Sequence, residues 1–542
     1  MNLCPTWSEV GPRNVSGALQ SRALVVCFGL VLGLSGLSAR LIHLQWFDRR
    51  ESVRKASQSH TRKLLLPAER GLIVDRNEDV LAWNLPVTTV RVDKYHLRDP
   101  RIAAYGVAYS ELEGREDFEN ATAHERRRMI QGERFRLLES IPPHRIVDRH
   151  FKLAVAVLSR HLQLPRAEIE DRIQKSRKMD LTLAKDLRED LADGLEEAVR
   201  ERYLQGFRFE KNTRRWYSSS GLATHSLGYV DHKGKGRMGV ERMLEKYLRG
   251  KDGYRILKRD PRGLLLAPNE GKLKPPIAGF NVKLALDMGL QSIVEEELDA
   301  ALVKYRSEKA AVILADPKTG DILAIASRPH FDLNVREGVE DASLHFAVQA
   351  IYEPGSTFKV VGVSAALDKG LVGLDTNVFC HWANLNEGAF RVPDHHPYGD
   401  LTVSQVLAKS SNIGTYKLSK MVGRPTFVDY VKRFGFNAKT GILTGSEEAG
   451  QLCDWSNGMN FSRMTFGYSV SVTPLQVTMA YCALANDGIL MKPRLVSGVI
   501  ANDGTVVRRF DPEVRSRVMS SSTAARMREA LSLVVTDYGT AR

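Results

Sequence analysis

The stretch Tyr352-Glu353-Pro354-Gly355-Ser356-Thr357-Phe358-Lys359 places a serine directly behind a Pro-Gly turn and a lysine three residues further on. On a helix that spacing puts both side chains on one face. A serine hydroxyl becomes a competent nucleophile when a base takes its proton, and a lysine amine can take it once desolvation or a neighbouring cation lowers its pKa. A helix starting at the serine also offers backbone N–H groups to a developing oxyanion. The spacing alone is a weak signal, because Ser52-Val53-Arg54-Lys55 repeats it in a charged stretch unsuited to a buried site. The elements around the serine must decide.

A chain of 542 residues accommodates about three structural units, and its 43% hydrophobic content suffices for ordinary cores. The formal net charge is +14, but Lys and Arg are dispersed and Arg126-Arg127-Arg128 precedes no groove-reading motif. That pattern argues against nucleic acid as a partner and for a basic surface that is solvated or faces an anionic surface. Five cysteines, Cys4, Cys27, Cys380, Cys453 and Cys482, are widely spaced without Cys-x-x-Cys or Cys/His ligand spacing, so no metal site and no cofactor are expected.

Ala23 to Ala39 is an uncharged, largely apolar run bracketed by Arg22 and Arg40 and continued by Leu41-Ile42-His43-Leu44-Gln45-Trp46-Phe47. With snorkelling arginines and interfacial aromatics it approaches the roughly 20 residues that a membrane span needs. A cleaved secretory signal is the competing reading, with Ser38-Ala39 as its small-residue site. An uncleaved anchor over residues 23–45 is favoured, because apolar residues continue past that site. Counting charges leaves orientation open, since Arg40, Arg49, Arg50, Arg54 and Lys55 follow the run.

Beyond the run, Ala68 to Ala82 reads as a hairpin of short strands turning at Asn77-Glu78. Residues 100–205 are dense in charge, with apolar residues at helical spacing such as Phe151, Leu153, Ala154, Val157 and Leu158, so a helical insertion is expected. Gly228 to Gly253 is glycine-punctuated and strand-like. After Pro275-Pro276 come a predicted strand at 280–286, an amphipathic helix at 290–305 and a hairpin of 310–316 with 322–327. Helices dominate from Ser356 to about residue 490, and Leu495–Ile500 with Val506–Phe510 forms another hairpin around Asn502-Asp503-Gly504.

In this order the segments resemble class B penicillin-binding proteins. Tyr352 to Lys359 is similar to that family's nucleophile motif, and Arg70-Gly71 with Asp75-Arg76-Asn77 to its segment after the membrane anchor. Gly236 to Glu241 resembles the end of its pedestal, and Asp316 to Ser327 the first hairpin of its transpeptidase sheet. Phe466-Gly467-Tyr468, Val472-Thr473-Pro474-Leu475-Gln476 and Ala485-Asn486-Asp487-Gly488 match a helical stretch behind the active-site core. The matches run from about residue 20 to the end and weaken across 100–205.

The resemblance implies an α+β chain: a cytoplasmic tail at 1–22, a transmembrane anchor at 23–45, a β-rich pedestal (dimerisation) domain with a helical insertion at 46–275, and at 276–542 an α/β penicilloyl-serine transpeptidase domain of helices around an antiparallel sheet. It implies peptidoglycan crosslinking, with Ser356 attacking the penultimate D-Ala carbonyl of a stem peptide and Lys359 taking its proton. Ser410 of Ser410-Ser411-Asn412 relays that proton to the leaving D-Ala, and Asn412 orients Lys359 and the substrate amide. That tripeptide read alone is equally a helix cap. β-Lactams are the implied inhibitors, and a membrane-bound glycosyltransferase and divisome proteins the implied partners. The implied location is the inner membrane, single-pass, with the bulk of the chain on the outer side. Glu353 and Asn412 resemble the septal subtype.

A third family element, Lys-Thr-Gly on a cleft strand, is expected after a helix resembled by Met527 to Thr536 and a loop resembled by Gly539-Thr540. Lys318-Thr319-Gly320 and Lys439-Thr440-Gly441 stand in the wrong places in the family order and are read as decoys. With its end at Arg542 the chain is expected to be a fragment or truncated product lacking the last strands and helix, inactive as written. The other functions left open are a noncatalytic component of the division or elongation machinery and, against the long pedestal, a β-lactam sensor or β-lactamase.

Overall fold

The computed structural model describes residues 17–43, 61–258, 273–442 and 444–541. Most of the expected tail, Trp46 and Phe47, Ser52 to Lys55 and Arg542 lie outside the described residues. Two compact units are present. In one, the helix Gly17–Ile42 exposes its large apolar side chains from Leu24 onward, and Arg22–Ile42 is long and apolar enough to cross a membrane. The same unit holds a three-stranded antiparallel sheet, Thr61–Leu66, Gly253–Lys258 and Leu273–Lys274.

The other unit, residues 69–250 and 278–542, is built on one seven-stranded sheet. Its path runs Val506–Arg509, Val496–Ile500, Asn281–Leu284, Ile73–Val74, Val80–Asp93 and Asp180–Arg188, with Phe207–Tyr217 also paired to Val80–Asp93. Strands between residues 73 and 217 thus share a ladder with strands between residues 281 and 509. Their junction is parallel, Ile73 opposite Val282 and Val74 opposite Lys283, in a sheet otherwise antiparallel. Asp75 fixes the turn after it: its carboxylate accepts from the N–H groups of Asn77 (2.7 Å), Asp79 (2.9 Å) and Met288 (3.2 Å).

The expected helix at 290–305 is present as Met288–Tyr305, and both later hairpins are present as Ala310–Ala315 with Ile322–Arg328 and Val496–Ile500 with Val506–Arg509. The insertion holds the helices Pro100–Leu112, Ala123–Ser140, Pro143–Leu162, Arg166–Lys175 and Glu189–Glu201. It also contains the strand Asp180–Arg188, which helical periodicity did not suggest. The strand-like reading of 228–253 is corrected: Gly239–Met243 and Glu245–Leu248 are short helices. They deliver Glu241 into the core, where Arg70 (2.6 Å) and Arg215 (2.7 Å) both pair with its carboxylate. A buried carboxylate requires such cations, and removing one partner of a buried pair costs about 3–5 kcal/mol, so local burial rather than the glycines decides this segment.

A second polar cluster is uncharged. The buried His345 has Ser327 Oγ at 3.0 Å from Nδ1 and Ser226 Oγ at 3.3 Å from Nε2, and its ring centroid lies 5.2 Å from that of His225. His225 Nε2 donates to Ala342 O at 2.7 Å. Burial is the main cause that holds the pKa of His225 down to about 4, opposed by Ala342 O and Glu295 and reinforced by His330 and Arg328; burial also pushes His345 down. The unfolded chain binds protons on both near pH 6.5, so their contribution to stability is complete above that pH and is lost as pH falls toward 4. For His225 alone the loss is about 3 kcal/mol. Urea unfolding of wild type and His225→Gln at pH 7 and pH 4.5 checks this, and an equal pH dependence in both proteins would refute it.

Candidate active site

Pro354 and Gly355 (φ +58°) turn the chain so that Gly355–Phe358 forms a 3-10 turn running into the α-helix Lys359–Asp368. Ser356 therefore sits in the tighter turn before the α-helix. The segment behind it is clamped to the Phe466-Gly467-Tyr468 stretch. Gly355 N–H donates to Gly467 O (3.0 Å), and Tyr352 and Val472 exchange backbone hydrogen bonds at 3.0 and 2.9 Å. Glu353 accepts from Ser469 N–H at 2.8 Å. Gly467 has φ +86°, and a Cβ there would stand 1.9 Å from Gly355 O. Gly467→Ala is expected to cost at least about 1–3 kcal/mol and to shift the nucleophile turn. Thermal melting with the rate of penicillin labelling checks it, and unchanged labelling would show that the turn tolerates the displacement.

Lys359 is 2% exposed. Its Nζ donates to Ser410 Oγ at 3.0 Å and to Ser410 O, and Ser410 Oγ donates to Ser356 Oγ at 2.9 Å. Among the described residues the hydrogen-bond path from Ser356 to Lys359 thus runs through Ser410. Burial pulls the lysine pKa down to about 8, opposed by the charge of Asp394. Ser410 itself has φ +56°, a left-handed conformation costing a non-glycine residue about 1–2 kcal/mol. In return its hydroxyl stands between nucleophile and amine. Reversing the two hydroxyl protons along the same atoms lets Ser356 donate to Ser410 and Ser410 to a neutral Lys359. This arrangement can take a proton from Ser356 and return it to a leaving group.

Ser411 caps the helix Asn412–Val422, its Oγ accepting from Gly414 N–H at 2.9 Å, so the cap reading of the tripeptide is correct for its middle residue. Asn412 Nδ2 donates to Pro393 O at 2.9 Å. That differs from the implied contact with Lys359, whose ammonium is held by Ser410 instead. Sequence reasoning missed Asp394, whose carboxylate accepts from Ser411 Oγ (2.5 Å), Ile413 N–H (3.1 Å) and Asn412 N–H. An acidic residue 18 positions before Asn412 carries no local signature.

Neither Lys-Thr-Gly lies with these groups in the hydrogen-bond network. In the first, Lys318 N–H (2.9 Å) and Thr319 Oγ1 (3.0 Å) donate to the Asp316 carboxylate, closing a hairpin turn. In the second, Thr440 N–H (2.6 Å) and Gly441 N–H (2.9 Å) donate to Glu447. The Lys318, Thr440 and Gly441 amides are thus already taken up by carboxylates.

Two family models match the chain: the penicillin-binding protein dimerisation domain over residues 65–284 and the penicillin binding protein transpeptidase domain over residues 310–542. The chain is 28% identical over 524 residues to the probable peptidoglycan D,D-transpeptidase PenA of Neisseria meningitidis, covering 96% of this chain and 79% of that protein. It is 27% identical to the peptidoglycan D,D-transpeptidase FtsI of Escherichia coli, covering 86% and 71%. Among solved structures, penicillin binding protein 2X from Streptococcus thermophilus superposes with a TM-score of 0.68 at 23% identity, over 88% of this chain and 67% of that one.

Proposed function

The chain belongs to the class B penicillin-binding proteins, and from that premise we propose Ser356, Lys359, Ser410 and Asn412 as the residues of its peptidoglycan D,D-transpeptidase reaction. Peptidoglycan crosslinking is the function of the chain, through a serine acyl-enzyme. In the proposed course, Ser356 Oγ attacks the penultimate D-Ala carbonyl of a stem peptide while its proton passes through Ser410 to Lys359. The new ester forms as the carbon–nitrogen bond breaks, and the proton returns by the same path to the departing D-Ala amine. An amine of a second stem peptide then attacks the ester, releasing Ser356. Asn412, at the start of its helix, holds the substrate amide. β-Lactams follow the first step and stall at the ester.

The observation that carries this reading is the hydrogen-bonded path from a buried, pKa-lowered lysine through Ser410 to Ser356. The path from Lys359 through Ser410 to Ser356 sets aside the expectation of a chain inactive as written. Benzylpenicillin treatment of the full chain, followed by digestion and mass spectrometry, is expected to find the adduct on the peptide holding Ser356, and the absence of any adduct would favour the noncatalytic reading. An adduct on another residue overturns the assignment, and rapid turnover of the drug would favour the β-lactamase reading.

The proposed organisation is a tail at 1–22, an anchor at 23–45, a pedestal at 46–275 and a transpeptidase domain at 276–542. The helix Arg22–Ile42 supports single-pass attachment to the inner membrane, with the bulk of the chain on the outer side where stem peptides are found. A septal role, with a membrane glycosyltransferase and divisome proteins as partners, rests on the resemblance at Glu353 and Asn412.

A further inference from the structure

The helix Val403–Ala408, which delivers Ser410, is six residues long and is capped at each end. At its start Thr402 and Gln405 form a capping box, with Gln405 N–H donating to Thr402 Oγ1 (3.2 Å) and Thr402 N–H to Gln405 Oε1 (2.9 Å). At its end Ser410 N–H donates to Leu407 O (3.0 Å) and Ser411 N–H to Val406 O (2.9 Å). This is the Schellman pattern, with Lys409 as the C-cap and Ser410 in the left-handed position just past it. Glycine is the usual occupant of that position, because a Cβ is strained there. A serine therefore favours unwinding of the cap, and unwinding would carry its hydroxyl out of the path between Ser356 and Lys359.

Both caps are held from one distant residue. Lys409 Nζ donates to Tyr538 O at 2.6 Å, and the same ammonium lies 3.8 Å from the centroid of the Tyr538 ring. Gln405 Nε2 donates to Tyr538 Oη at 3.2 Å. We propose that Tyr538 is a positioning residue for the transpeptidase reaction, gripping Lys409 and Gln405 so that the strained cap stays wound and Ser410 Oγ stays between nucleophile and amine. The inference rests on the roles proposed above for Ser356, Lys359 and Ser410.

The segment bearing Tyr538 supports this role. The turn Leu533–Val535 buries no residue, Val535 is exposed, and Tyr538 is itself half-exposed. The segment closes on itself through Gly539 N–H to Thr536 O (2.8 Å) and Ala541 N–H to Val534 O (3.0 Å). A Cβ on Gly539 would stand 2.0 Å from Val534 O, so this closure requires glycine. A tight turn that fills no core thus presents a tyrosine whose carbonyl, ring and hydroxyl all meet the two cap residues. Because little apolar surface is buried there, truncating Tyr538 is expected to leave the fold intact.

The test measures acylation of the full chain in nanodiscs over a range of benzylpenicillin concentrations, separating the limiting rate constant from the half-saturating concentration. The limiting rate constant is expected to fall about 10-fold in K409M and about 3-fold in Y538A with the half-saturating concentration unchanged, because a misplaced relay hydroxyl slows the chemistry and not the binding of the drug. K409R keeps a cation over the ring and is expected to stay within about twofold of wild type. The double variant K409M/Y538A should be no slower than K409M, since the two residues act through one contact. A wild-type limiting rate in Y538A overturns the proposal, and if its melting temperature falls all the same, the turn is a structural staple only. K409R as slow as K409M also overturns it. A wild-type chain with no adduct on Ser356 would instead overturn the site assignment on which the proposal stands, and that result is read before any variant is compared.

Discussion

Lys359→Ala lowers the second-order rate constant for acylation of Ser356 by benzylpenicillin by roughly 10²–10⁴-fold, the usual worth of a positioned general base. The magnitude follows from the geometry, since Lys359 Nζ is the basic group on the hydrogen-bonded path from Ser356 among the described residues. Lys359→Arg is expected to be nearly as slow, because a guanidinium stays protonated across this pH range and cannot accept the proton. For wild type the pH dependence follows from the same group. Its pKa of about 8 means that most of the lysine is ammonium below that pH and cannot act as base. The rate should therefore rise with pH through an inflection near 8 and level off above it. Intact-protein mass spectrometry over time at pH 6 to 9.5 measures both effects. Labelling of Lys359→Ala at the wild-type rate would transfer the role of base to another group.

The legible part of the site was local in sequence. A Pro-Gly turn, a serine and a lysine one helical turn away specify their own geometry, and the hairpins at 310–328 and 496–509 are contiguous pairings marked by turn residues. What was not legible depends on partners far along the chain. The pairing of Ile73 with Val282 joins residues more than 200 positions apart, and nothing local to either strand announces it. Glu241 belongs to a helix because Arg70 and Arg215 neutralise it there. The positive φ of Ser410 has no signature either, since serine is an uncommon residue for that conformation and the surrounding helices impose it. Asn412 shows the limit of resemblance: the resemblance names a position and a role, while the contact that the side chain makes with Pro393 had to be seen.

Asp394 provides the second large effect. Its carboxylate accepts three hydrogen bonds from Ser411, Asn412 and Ile413, where the helix N-terminus favours negative charge. These residues directly follow Ser410, so Asp394 is a positioning residue for the hydroxyl that links Ser356 to Lys359. Asp394→Asn keeps the shape, but its amide group can accept only through one oxygen and carries no charge. At about 1.5–3 kcal/mol for each hydrogen bond to a charged group, a net loss of roughly 2–4 kcal/mol in stability is expected. A drift of Ser410 should slow acylation by about 10–100-fold, because proton transfer depends on sub-ångström placement. A cap alone would do no more than that. Asp394 also favours the ammonium form of Lys359, so losing its charge lowers the lysine pKa further below the wild-type value near 8. The inflection of the pH–rate profile in Asp394→Asn should move to lower pH even as the plateau falls. A slowed variant whose inflection stays near 8 would reduce Asp394 to a helix cap without influence on the base.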